Sequence, residues 1–401
     1  MEETIDQLRT EVVIVGGGLT GCATGLALAR EGIDSTIIEL NATDPIDRWG
    51  MTLWPSGLRV LDSLGVLDDV ESLGCRLTGI KWYIEQSHQW INANAASSPG
   101  TDGYIGVNPN QLQKILFQAA VKNGVKIIRP GRVTSLSGSH NRAIRAEGFR
   151  NNEQNRFQID CQAIVIADGA TSQLRKSSGI GARMLKASDQ RILTGIGGPV
   201  RFVESRQAFG NRWSGGCIPI GKKQSWIYAV VPADHQLEPR KLIERYGELD
   251  PDAKSAFNEL KDILVLSPQS VRLKRWTNEI GCIALGDAAH CMFPYLGLGG
   301  NANLEDVPVL AEVMKGCLRN GVSRLGLDAV QVRREGRIRY LRRVSRFFSL
   351  SLTSSFPGAM RLRDWNFRRM AKHPELLDRF LQELSEDGVP KFSTRISVLL
   401  P

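Results

Sequence analysis

Near its start the chain changes hydrophobic period twice. Residues 12–15, "VVIV", are an unbroken β-branched run, the pattern of a strand buried on both faces. "LTGCATGLALAREG" then spaces its apolar residues as a helix does, with Gly32 as its stop. "DSTIIEL" is a second short apolar run. Strand, helix and strand in this order open a doubly wound parallel sheet. Residues 12–29 carry no charge and reach the length of a membrane span, but consecutive glycines divide them into strand, turn and helix.

Further on, the pattern predicts a helix, a turn at Gly65 and a short second helix over 54–75. Residues 79–93 read as strand with a central polar turn, 97–103 as a loop, and 110–123 as a helix followed by the strand "VKIIRP". A β-meander is expected over 131–160, turning through "FRNNEQNRFQ". "QAIVIADG" is another buried parallel strand. From 190 to 232 the runs are aromatic-rich and antiparallel in character. Residues 239–262 read as helical, "GCIALGD" returns to the first sheet, a helix begins at Asn301 and runs to 319, and 326–384 is mostly helical. The expected fold is α/β: a doubly wound, Rossmann-like domain from 1–78, 105–185 and 268–320. A strand-rich unit from 79–104 and 186–267 is inserted in it, and a helical C-terminal region spans 321–401.

Composition changes this picture little. Of 401 residues, 42% are hydrophobic and 23% charged, ordinary for a globular protein. The net charge of +9 is concentrated between Arg333 and Arg369. The helix "VRREGRIRYLRRVSRFF" raises a peripheral-membrane or nucleic-acid reading. Its apolar stripe of Ile338, Leu341, Val344 and Phe348 favours a packed amphipathic helix with a solvated basic side. The seven cysteines form no CxxC pair, which argues against a metal site and suits free thiols in a reducing, cytoplasmic compartment. "MEETIDQLRTE" has no apolar core and is not a signal peptide.

Three stretches carry candidate chemistry. In "GGGLTG", Gly16, Gly18 and Gly21 fit G-x-G-x-x-G between strand and helix, a turn that lets backbone approach a pyrophosphate. Glu39, at the end of the second strand, is placed to accept ribose hydroxyls. "IADGATSQLRK" sets Asp168-Gly169 after a buried strand, with Ser172 and Arg175 beyond; alone it could be an ordinary turn. "GDAAHCMFPYLGLGGNANLED" puts Asp287 at a strand tip, then Pro294 and the glycines 297, 299 and 300 before a helix. A capped helix needs one glycine at most; three suit a flat ligand lying on bare backbone, with the helix dipole favouring negative charge.

Together and in this order, these stretches resemble the class A flavoprotein monooxygenases, the para-hydroxybenzoate-hydroxylase-like aromatic hydroxylases and epoxidases. The resemblance spans nearly the whole chain, including the arginine-rich helix. It implies FAD as cofactor, NAD(P)H as a transient co-substrate, and O2 passed through a flavin C4a-hydroperoxide to a small aromatic or polyunsaturated substrate. It implies that Gly16, Gly18, Leu19, Thr20 and Gly21 cradle the pyrophosphate and Glu39 holds the adenosine ribose. Val133, Asp168 and Gly169 join the cofactor contacts, and Asp287 binds the ribityl chain. Gly297, Leu298, Gly299, Gly300 and Asn301 would line the flavin ring, with Arg48 and Pro294 at the catalytic centre.

Two positions depart from the family. Pro109 replaces an arginine that normally helps anchor FAD, with Asn110 or Gln111 as substitutes, and Leu298 replaces the glutamine of "GQG". Candidate residues lining the substrate pocket are Trp82, Phe209, Trp213, Trp226 and Tyr228; for each, plain core packing is the competing reading. His290 reads as structural. No second G-x-G-x-x-G lies between strand and helix, so a separate NAD(P)H domain is not expected. A halogenase would show WxWxIP, which "WSGGCIPIG" lacks. The remaining rivals are a flavin oxidase or dehydrogenase, and a FAD-binding protein without catalysis.

Overall fold

The computed structural model of the chain describes residues 5–43, 48–94, 103–138, 143–150, 155–186, 190–236, 238–260, 262–319, 324–353 and 357–386. Most of the expected loop at 97–103, the tip of the polar turn at 151–154, and residues 387–401 of the C-terminal region lie outside them.

At the centre are five parallel strands in the order Cys282–Ala284, Ala163–Ile166, Val12–Val15, Ser35–Ile38, Lys126–Ile128. The first four are buried at every residue, which is why they read as unbroken apolar runs. The chain builds outward from Val12–Val15 in one direction, then steps back to its other side with Ala163–Ile166. That reversal is a topological switch point, where loops at the carboxyl ends of neighbouring strands diverge and leave a crevice. The helix Leu19–Arg30 is buried from Thr20 to Leu28, packed against the helices Pro109–Lys122 and Leu298–Arg319.

The meander is present as Gly131–Ser137, Ile144–Arg150 and Asn155–Cys161, and Ile5–Arg9 joins it in parallel. The hydrophobic pattern does not predict this first strand, because "IDQLR" is exposed at every residue and has no apolar face.

A seven-stranded sheet stands beside the central one, in the order Leu264–Leu266, Gln190–Gly197, Ser225–Pro232, Trp213–Pro219, Glu204–Gly210, Gly79–Ile84, Gln89–Asn94. Side chains alternate between its faces. One face packs on the helix Pro239–Leu249 through Trp213, Cys217, Ile227 and Tyr246. The other turns toward the main core and the C-terminal helices Asp328–Thr353, Pro357–Lys372 and Pro374–Ser385. There Trp82 meets Phe209, Phe348 and Phe367, with ring centroids 5.7, 6.1 and 5.3 Å away.

One helix boundary is corrected. The helix expected to begin at Asn301 begins at Leu298. Gly297, with φ +64°, closes the preceding turn, and the chain enters helical geometry directly after it.

Trp82 is fully buried among three aromatic rings. Trp82→Ala is expected to lower stability by about 3–5 kcal/mol, read as a fall in the denaturant midpoint.

Candidate active site

Three neighbouring strands bring the three motifs to one place. Gly16 follows Val12–Val15, Asp168 follows Ala163–Ile166, and Asp287 follows Cys282–Ala284, all at carboxyl ends of the parallel sheet. The motifs also touch. A Cβ added at Gly16 would lie 2.4 Å from the Ala167 carbonyl oxygen and 2.9 Å from the Asp168 Cα. One at Gly286 would lie 2.5 Å from Thr20 Oγ1, and one at Gly300 would lie 3.6 Å from Leu19. The buried Arg175 guanidinium donates to the carbonyls of Ala170 and Ala288, tying the second motif to the third.

The three glycines of the first motif are glycines for different reasons. Gly16 has φ +107° and lies on the backbone of the neighbouring strand's exit. Gly21 lets the helix reach the turn, since a Cβ there would be 1.8 Å from Gly16 O. A Cβ at Gly18 would meet nothing within 4 Å. Nothing inside the protein requires Gly18, but a pyrophosphate laid against the first helical turn does. The residues therefore fit FAD at this position.

Glu39 lies just past Ser35–Ile38, and its Oε2 accepts from the Gly17 N–H at 2.6 Å. Its Oε1 accepts from the backbone and side chain of Asn41 at 2.7 and 2.9 Å. These bonds aim the carboxylate at the glycine turn and leave lone pairs for ribose hydroxyls. Gly131 donates to Glu39 O at 2.7 Å, so half-buried Val133 is two residues from this end of the crevice. Gln113 of the Pro109–Lys122 helix donates to Gly17 O at 2.7 Å. Sequence reading missed this tie, because an isolated glutamine in a helix carries no signal. Pro109 occupies the first helical position, and the Asn108 cap accepts from Asn110 N at 2.9 Å.

Asp168 has a buried Oδ1 with no hydrogen-bond partner among the described residues, and burial pushes its pKa up, partly opposed by a hydrogen bond from Ser172. Asp287 is half-buried and accepts from Asn303 Nδ2 at 3.1 Å. Beyond it, Pro294 is exposed, Leu296 and Gly297 are both left-handed, and Gly299 has only Met292 near its missing Cβ, at 3.6 Å. The space at Gly300 is filled by Met51, 2.5 Å from where a Cβ would stand, so this glycine serves protein packing. The Leu298 side chain is in the core, leaving its backbone as what faces the turn. Asn301 is buried and clasps the strand Met51–Leu53: it accepts from Trp54 N at 2.8 Å and donates to Thr52 O at 2.9 Å and Gly297 O at 2.8 Å.

Arg48 begins the segment that runs between this turn and the seven-stranded sheet. Its Nε is buried without a partner among the described residues. Arg48 O accepts from Thr194 Oγ1 at 3.1 Å, and Thr194 in turn accepts from Trp226 Nε1 at 2.6 Å. A Cβ at Gly50 would stand 2.4 Å from Trp226. Trp226 and Tyr228 share this face, their ring centroids 4.7 Å apart, and burial pushes the Tyr228 hydroxyl pKa up. Trp213 does not join them. It is fully buried on the opposite face with Leu242 and Tyr246, because it sits one residue out of phase with Ser214 and Gly216, which pair with Val230 and Tyr228. The expectation that Trp213 lines the pocket is therefore corrected. Trp82 and Phe209 are core packing.

Behind the third motif lies a buried ion network. Asp306 accepts from Gly286 N at 3.3 Å, His290 Nε2 at 2.6 Å and Arg334 Nε at 2.8 Å. Arg334 also reaches Glu305 at 2.8 Å, and Arg337 joins Glu305 to the carbonyl of Leu384. Two arginines of the basic helix thus point inward, where an entirely solvated basic side was expected. Their signal was the adjacent acids in "NLEDVPVL". Burial pushes Asp306 up, but the facing His290 and Arg334 outweigh it and hold its carboxyl below the usual carboxylate range.

A family model described as an FAD binding domain matches residues 9–343. The 6-methylpretetramide 4-monooxygenase of Streptomyces rimosus is 26% identical over 346 residues, covering 82% of this chain and 81% of that one. The 2-heptyl-3-hydroxy-4(1H)-quinolone synthase of Pseudomonas aeruginosa is 26% identical over 358 residues, 83% and 87% of the two chains. Among solved structures, Klebsiella pneumoniae HpxO complexed with FAD and uric acid superposes with TM-score 0.80 at 18% identity, over 95% and 97% of the chains. The chain belongs to the class A FAD-dependent monooxygenases.

Gly18→Ala should fold normally yet bind FAD at least ~10-fold more weakly, since its cost falls on the ligand. Gly21→Ala should fail to give folded protein; circular dichroism and flavin absorbance read both. Asp306→Asn should destabilise by about 3–5 kcal/mol near neutral pH. Because the folded pKa is depressed, that stabilisation is present above 3.8 and fades as pH falls through the folded value, so melts of variant and wild type converge in acid.

Proposed function

We propose that FAD lies along the three converging motifs, and that the enzyme uses NAD(P)H and O2 to hydroxylate or epoxidise a small aromatic or polyunsaturated substrate. The observation that carries this is Gly18 facing open space at the switch point, where glycine is needed only by a ligand. In this reading residues 1–78, 105–185 and 268–320 bind the cofactor, 79–104 and 186–267 supply the substrate face, and the helices from 321 onward brace both.

Bound there, FAD would supply the redox chemistry, accepting electrons from NAD(P)H and activating O2. The chain's own residues do the rest. The amides at Gly18–Gly21 hold the pyrophosphate, Glu39 the adenosine ribose and Asp287 the ribityl chain. Pro294 and the backbone of Gly297–Asn301 line the ring, and the N-terminus of Leu298–Arg319 favours negative charge on it. Arg48, whose Nε is buried without a partner among the described residues, would sit near the ring. Trp226 and Tyr228 form an apolar wall that excludes water and positions the substrate. Tyr228, its pKa raised, keeps its proton and can donate a hydrogen bond to a substrate oxygen. A relative named for a heptyl-substituted quinolone and a neighbour holding uric acid support a ring-shaped substrate.

With heavy-oxygen gas, one labelled atom should appear in the product for each NAD(P)H consumed. Unlabelled product would identify an oxidase or dehydrogenase, and neither product nor substrate-stimulated NAD(P)H consumption would identify a non-catalytic flavoprotein. Asp287→Ala should lower flavin occupancy at least several-fold, by roughly the loss of one charged hydrogen bond; unchanged occupancy would remove the ribityl role.

A further inference from the structure

The seven-stranded sheet ends in the edge strand Gln89–Asn94, and the helix Pro357–Lys372 lies along it. That helix is fastened from beneath. Arg363 and Asp364 are buried as an ion pair at 2.8 Å, Arg363 donates to Gly210 O at 2.9 Å, and Phe367 and Met370 enter the core. Its outer side carries Arg361, Trp365, Arg368 and Lys372, all exposed, on one stripe about 16 Å long at 1.5 Å per residue. Beside the stripe a groove of about 800 Å³ opens toward the strand, with Trp90 on one wall and Trp365 and Arg369 on the other.

Trp90 and Trp365 leave 38% and 45% of their surface exposed. The Tyr83 ring lies 5.1 Å from Trp90, and the Arg369 guanidinium lies 5.7 Å from the Trp365 ring. Among the described residues no carboxylate lines the groove. Of the nearby acids, Asp364 is buried against Arg363, and Glu375 is exposed just past the far end of the helix, 3.2 Å from His373. Arg361, Arg368 and Lys372 meet no carboxylate among the described residues. Two exposed indoles beside cations that meet no carboxylate suit a partner that is apolar within and anionic at its surface.

We propose that this face docks the enzyme on the headgroup layer of an anionic lipid bilayer, with Trp90 and Trp365 at the interface and the stripe on lipid phosphates. No helix among the described residues is long and apolar enough to cross a membrane, so the contact is interfacial. A second copy of the chain fits poorly, because a two-fold contact would set cations against cations. A single small anion would leave most of the stripe and both indoles uncovered. The docking does not depend on the flavin chemistry.

The test is co-sedimentation of the purified holoenzyme with vesicles of phosphatidylcholine and phosphatidylglycerol in equal parts, against phosphatidylcholine alone. Binding to the mixed vesicles should be at least ~10-fold tighter and should weaken with added salt. Joint Arg361→Gln, Arg368→Gln and Lys372→Gln should remove most of that preference. Trp365→Ala should weaken binding several-fold while circular dichroism and flavin absorbance stay those of the wild type. Equal binding to both vesicle types, or unaltered binding by the triple variant, overturns the proposal. So does sedimentation showing a dimer that Trp365→Ala dissociates, or a single-stranded oligonucleotide that displaces the enzyme from vesicles with the same dependence on Trp365.

Discussion

The approach of the Leu19–Arg30 helix to the end of the Val12–Val15 strand sets everything around it. A Cβ at position 21 would stand 1.8 Å from Gly16 O, so the turn closes only with glycine there. That closeness directs the helix N-terminus into the crevice and lets Thr20 and Leu19 meet Gly286 and Gly300 of a segment some 270 residues later. The crevice itself is a product of strand order. Because the order in which strands are added reverses between Val12–Val15 and its parallel neighbour Ala163–Ile166, the loops carrying Gly16 and Asp168 part where a ligand can enter.

Holding such loops steady requires bonds from behind, and Asp306 supplies them. Its buried carboxylate takes donors from the Gly286 backbone, His290 and Arg334. The same helix presents Asn303 to Asp287 and Asn301 to the Thr52–Trp54 segment. One element thus fixes the carboxylate assigned to the ribityl chain and the segment following Arg48. The Arg337 contact with Leu384 extends the bracing to the last described helix. A buried ion network of this kind adds little net stability, yet breaking either side is costly because it leaves an unpaired buried charge.

The central sheet was legible because four of its five strands are buried on both faces and cannot be anything but apolar runs. The three motifs were legible because glycine and aspartate at strand exits have few other uses together. What the sequence hid was phase and partnership. Trp213 looked equivalent to Trp226, yet only pairing across strands tells which face each side chain takes. The strand Ile5–Arg9 has no apolar side to betray it. Arg334 and Arg337 looked like solvent-facing charges until Glu305 and Asp306 appeared opposite them. Gly300 looked bared for a ligand, but Met51 fills its space.

The central claim is that the switch-point crevice holds the ADP half of FAD through the first glycine turn and Glu39. Titration of the flavin-free protein, followed by quenching of flavin fluorescence, tests it most directly. FAD should saturate at one per chain, and riboflavin, which lacks the pyrophosphate and adenosine, should bind orders of magnitude more weakly. Riboflavin binding as tightly as FAD, or no saturable binding of FAD, would contradict the account.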